Sequence, residues 1–136
     1  MDREVTQRKP EALRHCLQRV RDRKPATAAI LASDEDAQDV LVLNLSRAVQ
    51  LCVDIAAHLL ADSKQPVPAT MGEAFASLAS GGVIDADLAS RLRRAVGFRN
   101  SAVHNYEAID WEIVLALTGE PLVGFEQFAA AVLARQ

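Results

Sequence analysis

Three closely spaced side chains in this sequence are of the types that act on a phosphodiester. Arg99 is followed after four residues by His104, Tyr106 lies two further on, and Asn100 stands directly behind the arginine. Arginine is a permanent cation whose planar fork matches phosphate oxygens. Histidine gives or takes a proton near neutral pH without extensive tuning. Tyrosine offers a flat stacking face and a hydroxyl. Cleaving RNA without a metal requires a group to take the 2′-OH proton, an acid for the leaving oxygen and a cation for the crowded phosphorane. His104 suits the proton transfers and Arg99 the charge. One histidine per chain is thin for both proton roles, and two copies meeting about one cleft would supply two.

The elements around this motif must bring the two side chains together. On one unbroken helix Arg99 and His104 would project about 140° apart. The helix carrying Arg99 must therefore end between them, or the second group must come from another subunit. The polar Asn100, Ser101 and Asn105 place such an ending near 101–105. Gly97 costs that helix about 1 kcal/mol relative to alanine and marks close packing against another backbone.

Upstream, Leu13, Cys16, Leu17 and Val20 form one helical stripe within residues 4–23. Pro25 and the alanine-rich 26–32 read as a linker or a loose turn. Ser33 and Asp34 cap a long helix over about 35–61, along which Leu41, Leu45, Ala48, Cys52, Ile55 and Leu59 form a seam. Val42, Val49, Val53, Ala56 and Leu60 widen that seam beyond what one neighbour covers, implying burial on two sides, by the core and by another helix or a second subunit. His58 pairs with Asp54 one turn earlier. Pro66 and Pro68 form a turn, and Thr70 to Glu73 is a capping box opening a helix with Phe75, Leu78 and Ala79 inward. Gly81-Gly82 ends it. Asp85 caps the next helix, with Leu88, Leu92, Ala95 and Val96 inward and Arg91 and Arg94 pointing away. Asp110 caps a restart in which Ile109 staples onto Val114. Gly119-Glu120-Pro121 breaks it before a last helix carrying Phe125, Phe128, Val132 and Leu133. No strand has period-2 alternation. The expected fold is all-α: one domain over 1–136, an antiparallel bundle of five to six helices.

The bulk numbers narrow the function. Half of the 136 residues are hydrophobic and the net charge is −3, which argues against broad nucleic-acid coating. The distribution is uneven. Residues 1–24 hold eight Lys/Arg against four Asp/Glu, residues 91–99 add four arginines and no acid, and residues 33–62 hold six acids against one arginine. RNA would therefore meet a local basic groove, while solvated helix faces are the ordinary reading of such runs. No apolar run reads as a membrane span, and Met1-Asp2-Arg3-Glu4 lacks the apolar core of a secretory signal. Cys16 and Cys52 lie in helical patterns and read as buried thiols of a reducing cytoplasm. There is no Walker A loop, no GxGxxG and no zinc-binding spacing, so no cofactor and no metal is expected.

The run Arg99-Asn100-x3-His104-x-Tyr106 resembles the Arg-x4-6-His motif of the HEPN superfamily. With Val96-Gly97-Phe98 before it and Tyr106 after it, it is similar to the HepT branch, toxins paired with a minimal nucleotidyltransferase (MNT) antitoxin. Met1-Asp2-Arg3, the Asp39…Asn44-Leu45…Asp54-Ile55 helix, Val67-Pro68 and Gly81-Gly82-Val83-Ile84-Asp85 extend the likeness over nearly the whole chain. The resemblance implies a HEPN-like bundle and a cytoplasmic, metal-independent endoribonuclease toxin. It implies a homodimer with the site at its interface and Arg99 and His104 as catalytic residues, with Asn100 then orienting the arginine or binding the substrate phosphate. It further implies neutralisation when the MNT transfers adenylate from ATP to Tyr106. A different class also fits, a non-catalytic helical module that binds a nucleotidyltransferase or presents a nucleotide to it. The residues themselves admit structural roles too: Arg99 beside the last helix carbonyls, His104 as a capping donor, Tyr106 holding the turn against Trp111.

Overall fold

The computed structural model of the chain describes residues 3–63, 70–102 and 108–135, which form helices and short connections. α1 (Lys9–Arg23) is entered through a π-helical turn over Glu4–Arg8. Pro10 accounts for that turn. Its ring has no N–H for the carbonyl of Thr6 and would clash with it, so the ladder widens, with the Lys9 N–H reaching the Glu4 carbonyl. The expected stripe of Leu13, Cys16, Leu17 and Val20 is buried.

The 26–32 stretch, expected to be a linker or a loose turn, contains the short helix α2 (Ala28–Ala32). Thr27 caps it, its hydroxyl accepting from the Ile30 N–H at 3.2 Å, and Leu31 is fully buried. Alanine's high helix propensity and one anchoring leucine suffice for a single turn that rests on its neighbours.

α3 (Glu35–Asp62) is the axle of the fold and touches every other helix. Asp34 caps its start, accepting from the Ala37 N–H at 3.1 Å. The wide apolar face expected from the sequence is there, and its neighbours within the same chain account for it: α1 covers one flank, while α4, α5 and α7 cover others. Val42 and Val53 are half-buried, and only Leu43 among its large apolar residues is as much as 50% exposed. A second subunit is thus not needed to explain the pattern. By length and hydropathy α3 is apolar enough to cross a membrane, contrary to the sequence reading. Its seam residues, from Leu41 to Leu60, are instead packed in the protein core.

α4 (Met71–Ser80) starts at the expected cap, with the Thr70 hydroxyl accepting from the Glu73 N–H at 3.2 Å, and ends at Gly81. Gly82 follows with φ of 79°, a left-handed turn that a side chain would strain. α5 (Ala86–Ala102), α6 (Trp111–Leu117) and α7 (Glu120–Leu133) complete the bundle. Phe75 of α4 meets Phe128 of α7 edge to face, centroids 5.8 Å apart, tying the ends of one continuous core. The structure is all-α, a helical bundle as expected.

Candidate functional site

α5 is the element that positions the motif. Asp85 accepts from the Leu88 N–H at 2.7 Å and fixes its start. Leu88, Leu92, Ala95 and Val96 are buried and set its rotation against α3, α4, α6 and α7. With that rotation fixed, Arg99 and Asn100 fall in the last turns of the helix. A cation is favoured there by the unpaired carbonyls of a helix C-terminus.

Arg99 is half-buried, and its Nε is buried with no hydrogen-bond partner among the described residues. A guanidinium N–H withdrawn from water without an acceptor costs about 1–3 kcal/mol. It is therefore a donor with capacity left for an anion. Asn100 beside it is exposed. α5 is described as far as Ala102 and the chain again from Ala108, so the ending expected near 101–105 falls mostly outside the described residues. There Asp110 opens α6 as expected, its carboxylate accepting from Glu112 and Ile113 N–H at 3.0 and 3.3 Å. α5 and α6 pack on one another, so the two helices that flank the motif are fixed relative to each other. His104 and Tyr106 lie outside the described residues, as do Pro66 and Pro68. The structure thus brings Arg99 and Asn100 onto one helix end and leaves the other two residues to the sequence reading.

Several neighbours differ from expectation. Arg91 does not point away to solvent. Its Nε lies 3.1 Å from Asp87 and 3.8 Å from Glu120, and its Nη1 lies 3.4 Å from Gln127, so it bridges α5 to α7. Gly97 meets no close neighbour: a Cβ built there would have nothing within 4 Å. The close approach expected at this glycine is not made among the described residues. His58 is exposed, and the Asp54 carboxylate goes elsewhere, to Lys9 at 3.4 Å and Gln50 at 2.9 Å. α1 lies close enough for the Lys9 ammonium to take the carboxylate, a long-range contact invisible to helix spacing.

Among the described residues no three His, Cys, Asp or Glu side chains gather as metal ligands. Cys16 and Cys52 are free and buried. Burial pushes both thiols up, with Arg47 pulling Cys16 partly back, so neither is a nucleophile at neutral pH.

Comparison with known proteins agrees with this architecture. The family model for Ribonuclease HepT-like proteins matches residues 13–132. The chain is 35% identical over 97 residues to the mRNA nuclease HepT of Shewanella oneidensis, covering 71% of this chain and 73% of that protein. Among solved structures it resembles a tri-AMPylated Shewanella oneidensis HEPN toxin in complex with its MNT antitoxin, at a TM-score of 0.85 and 29% identity over 98% of this chain and 99% of that one. It also resembles a toxin–antitoxin crystal structure with AMP-PNP, at a TM-score of 0.83 and 28% identity over 97% of this chain and 99% of the other.

Proposed function

The chain belongs to the HepT-like ribonuclease family, and from that premise we propose that it is the RNA-cleaving toxin of a toxin–antitoxin pair whose antitoxin is an MNT. The observation that carries the reading is Arg99: a half-buried guanidinium at a helix end, its Nε unpaired among the described residues, heading Arg-x4-His-x-Tyr. In this reading Arg99 stabilises the phosphorane charge, His104 moves the protons and Asn100 steadies the phosphate. No metal is required, since the arginine supplies the positive charge. The protein works as a homodimer, because two His104 side chains about one cleft provide both a base and an acid. Its work is cytoplasmic, where RNA and a nucleotide-using partner meet, and the free thiols accord with that compartment.

Tyr106 is the acceptor of adenylate from the MNT. The phenol oxygen attacks the α-phosphorus of ATP, pyrophosphate leaves with the bridging electrons, and the phenol proton passes to a base of the transferase. The added phosphate then sits near the Arg99 guanidinium in sequence and competes for it, while the adenosine fills the RNA cleft. The relative with AMPylation in complex with an MNT supports this assignment.

The test is cleavage of single-stranded RNA by purified, unmodified protein in chelator. Cutting that disappears in His104→Ala is expected. Binding without cutting would favour the non-catalytic partner instead, and a requirement for added magnesium would exclude the metal-free mechanism. Co-expression with an active MNT should raise the mass by whole adenylate units on the peptide containing Tyr106.

A further inference from the structure

The arginines of α5 are of two kinds. Arg91 is engaged by Asp87 and Glu120, so its charge is used inside the fold. Arg93 and Arg94 are exposed and form no ion pair among the described residues. Arg93 is also held down. Its stem crosses Gly72 of α4, where a Cβ would lie 3.2 Å from Arg93 Cγ and 3.4 Å from its Nε. Glycine at 72 makes room for the stem, and the stem limits where the guanidinium can go. Arg93 lines a groove between α4 and α5 together with Ala76, Ser80, Ala86 and Ser90.

The face of α5 that carries Arg93 leads to Asn100, next to Arg99, which itself projects about 120° round the helix from Arg93. At 100° per residue, Arg93, Gly97 and Asn100 share a face of α5 within about 60°, with Arg93 and Asn100 roughly 10 Å apart along the axis. Gly97 between them is exposed, with open space where a side chain would be. The 91–99 segment carries no acid to oppose an anion.

We propose that this face of α5 is the track for the RNA strand flanking the cleaved bond, and that Arg93 clamps a backbone phosphate a short run of nucleotides from the one held at Arg99. The proposal rests on the RNA-cleavage reading above. The chemistry is that of a phosphodiester: a fork of N–H donors for its oxygens, and a backbone at Gly97 bare enough for a strand to approach. Arg93 is a substrate-positioning residue and takes no part in bond breaking.

The experiment compares wild type with Arg93→Gln, Arg93→Lys, Arg91→Gln and Arg99→Ala. It measures cleavage of a single-stranded oligoribonucleotide and of a dinucleotide, and binding of a 2′-O-methylated, uncleavable strand across a salt series. Arg93→Gln is expected to raise KM and the dissociation constant roughly tenfold, with kcat unchanged. The slope of log affinity against log salt should fall by about 0.7, the value for one phosphate contact on a single strand. Arg93→Lys recovers the salt slope but not all of the affinity. The dinucleotide is too short to reach the clamp and is cut at the wild-type rate. Arg91→Gln leaves the slope alone. Wild-type KM and slope in Arg93→Gln, while Arg99→Ala is inactive, overturn the clamp and leave the cleavage reading standing. A wild type that neither cuts nor binds RNA overturns both. An Arg93→Gln protein whose sedimentation shifts between monomer and dimer, with the slope unchanged, assigns this face to a second copy and also overturns the clamp.

Discussion

α3 and the last turns of α5 are built on opposite terms. Along α3 the buried and capping polar groups have partners: Asp34 caps the first turn, the buried Asn44 donates to the Val40 carbonyl at 2.8 Å, and Ser63 donates to the Leu60 carbonyl at 3.0 Å. Its apolar seam is covered by every neighbouring helix. The last turns of α5 carry a buried Arg99 Nε without an acceptor among the described residues, an exposed Asn100 and a glycine facing open space. Each of these features lowers the stability of the isolated chain, yet each has a use once a phosphate is bound. The contrast locates stability in one helix and binding capacity in the other, and changes to the two should separate cleanly.

The largest effect is expected at the motif. His104→Ala should lower cleavage by about two to four orders of magnitude, the usual yield of a positioned proton-transfer group. Arg99→Ala should cost about two to three orders, as loss of a preorganised donor does. Both should melt within a few degrees of wild type, and Arg99→Ala should if anything be relieved of its unpaired donor. Activity and circular dichroism measured on the same preparations decide it. A variant that unfolds makes that residue structural and breaks the contrast.

The converse change is Ile55→Ala in α3, at a side chain with no exposure. Truncating it should remove about 2–5 kcal/mol of stability through lost transfer energy and a cavity. Denaturant titration should show this, while cleavage per folded molecule at low temperature stays near wild type. A folded Ile55→Ala protein that has lost activity would mean that α3 positions the site more directly than its contacts indicate.

Most of this division could be read from the sequence because it follows short-range rules. The caps at Asp34, Thr70, Asp85 and Asp110 and the apolar stripes of α3 and α5 depend on residues within a turn or two of each other, and all are present. What escaped depended on distant partners. Arg91 meets Glu120 and Gln127 across α7, and Asp54 takes Lys9 from α1, pairings that helical spacing does not encode. α2 escaped because its five residues are too few to show a period. At the site, Arg99 and Asn100 lie in the last described turns of α5, but the unpaired Nε is a property of surrounding packing, and no pattern of residue types announces it.

A smaller and pH-dependent effect belongs to α3. Burial holds the Cys52 thiol protonated well above its ordinary range. In the unfolded chain the thiol ionises from about pH 8.5, so there the unfolded state binds fewer protons than the folded one. Stability is then fully present below that pH and declines as pH rises towards the folded value, by up to about 1.4 kcal/mol per pH unit. Unfolding free energies at pH 7.5, 9 and 10 should fall along this line for wild type, with a shallower slope in Cys52→Ala. An equal slope in the variant would show that the thiol is not shielded and that α3 is less tightly closed than described.

The smallest expected change is also the one with the most informative sign. Gly97 is exposed in the interior of α5, its φ is not positive, and a Cβ there would have nothing within 4 Å. Among the described residues, then, nothing opposes Gly97→Ala, and alanine gains helix propensity and restricts the unfolded state, together worth about 0.5–1 kcal/mol. For a domain of this size that is a rise of a few degrees in melting temperature. Yet the same methyl group would stand between Arg93 and Asn100, on the face along which the RNA strand is proposed to run. A strand in contact with the bare helix backbone must move away from it, weakening the contact at Arg93 while leaving the motif intact. The expected outcome is therefore a more stable protein with a higher KM for oligoribonucleotides and an unchanged rate on a dinucleotide. Greater stability with wild-type KM would show that nothing approaches this face during turnover, and that the glycine is a cost without a return. Lower stability would mean that another copy of the chain packs against Gly97 in solution, placing a subunit where the strand was expected to lie.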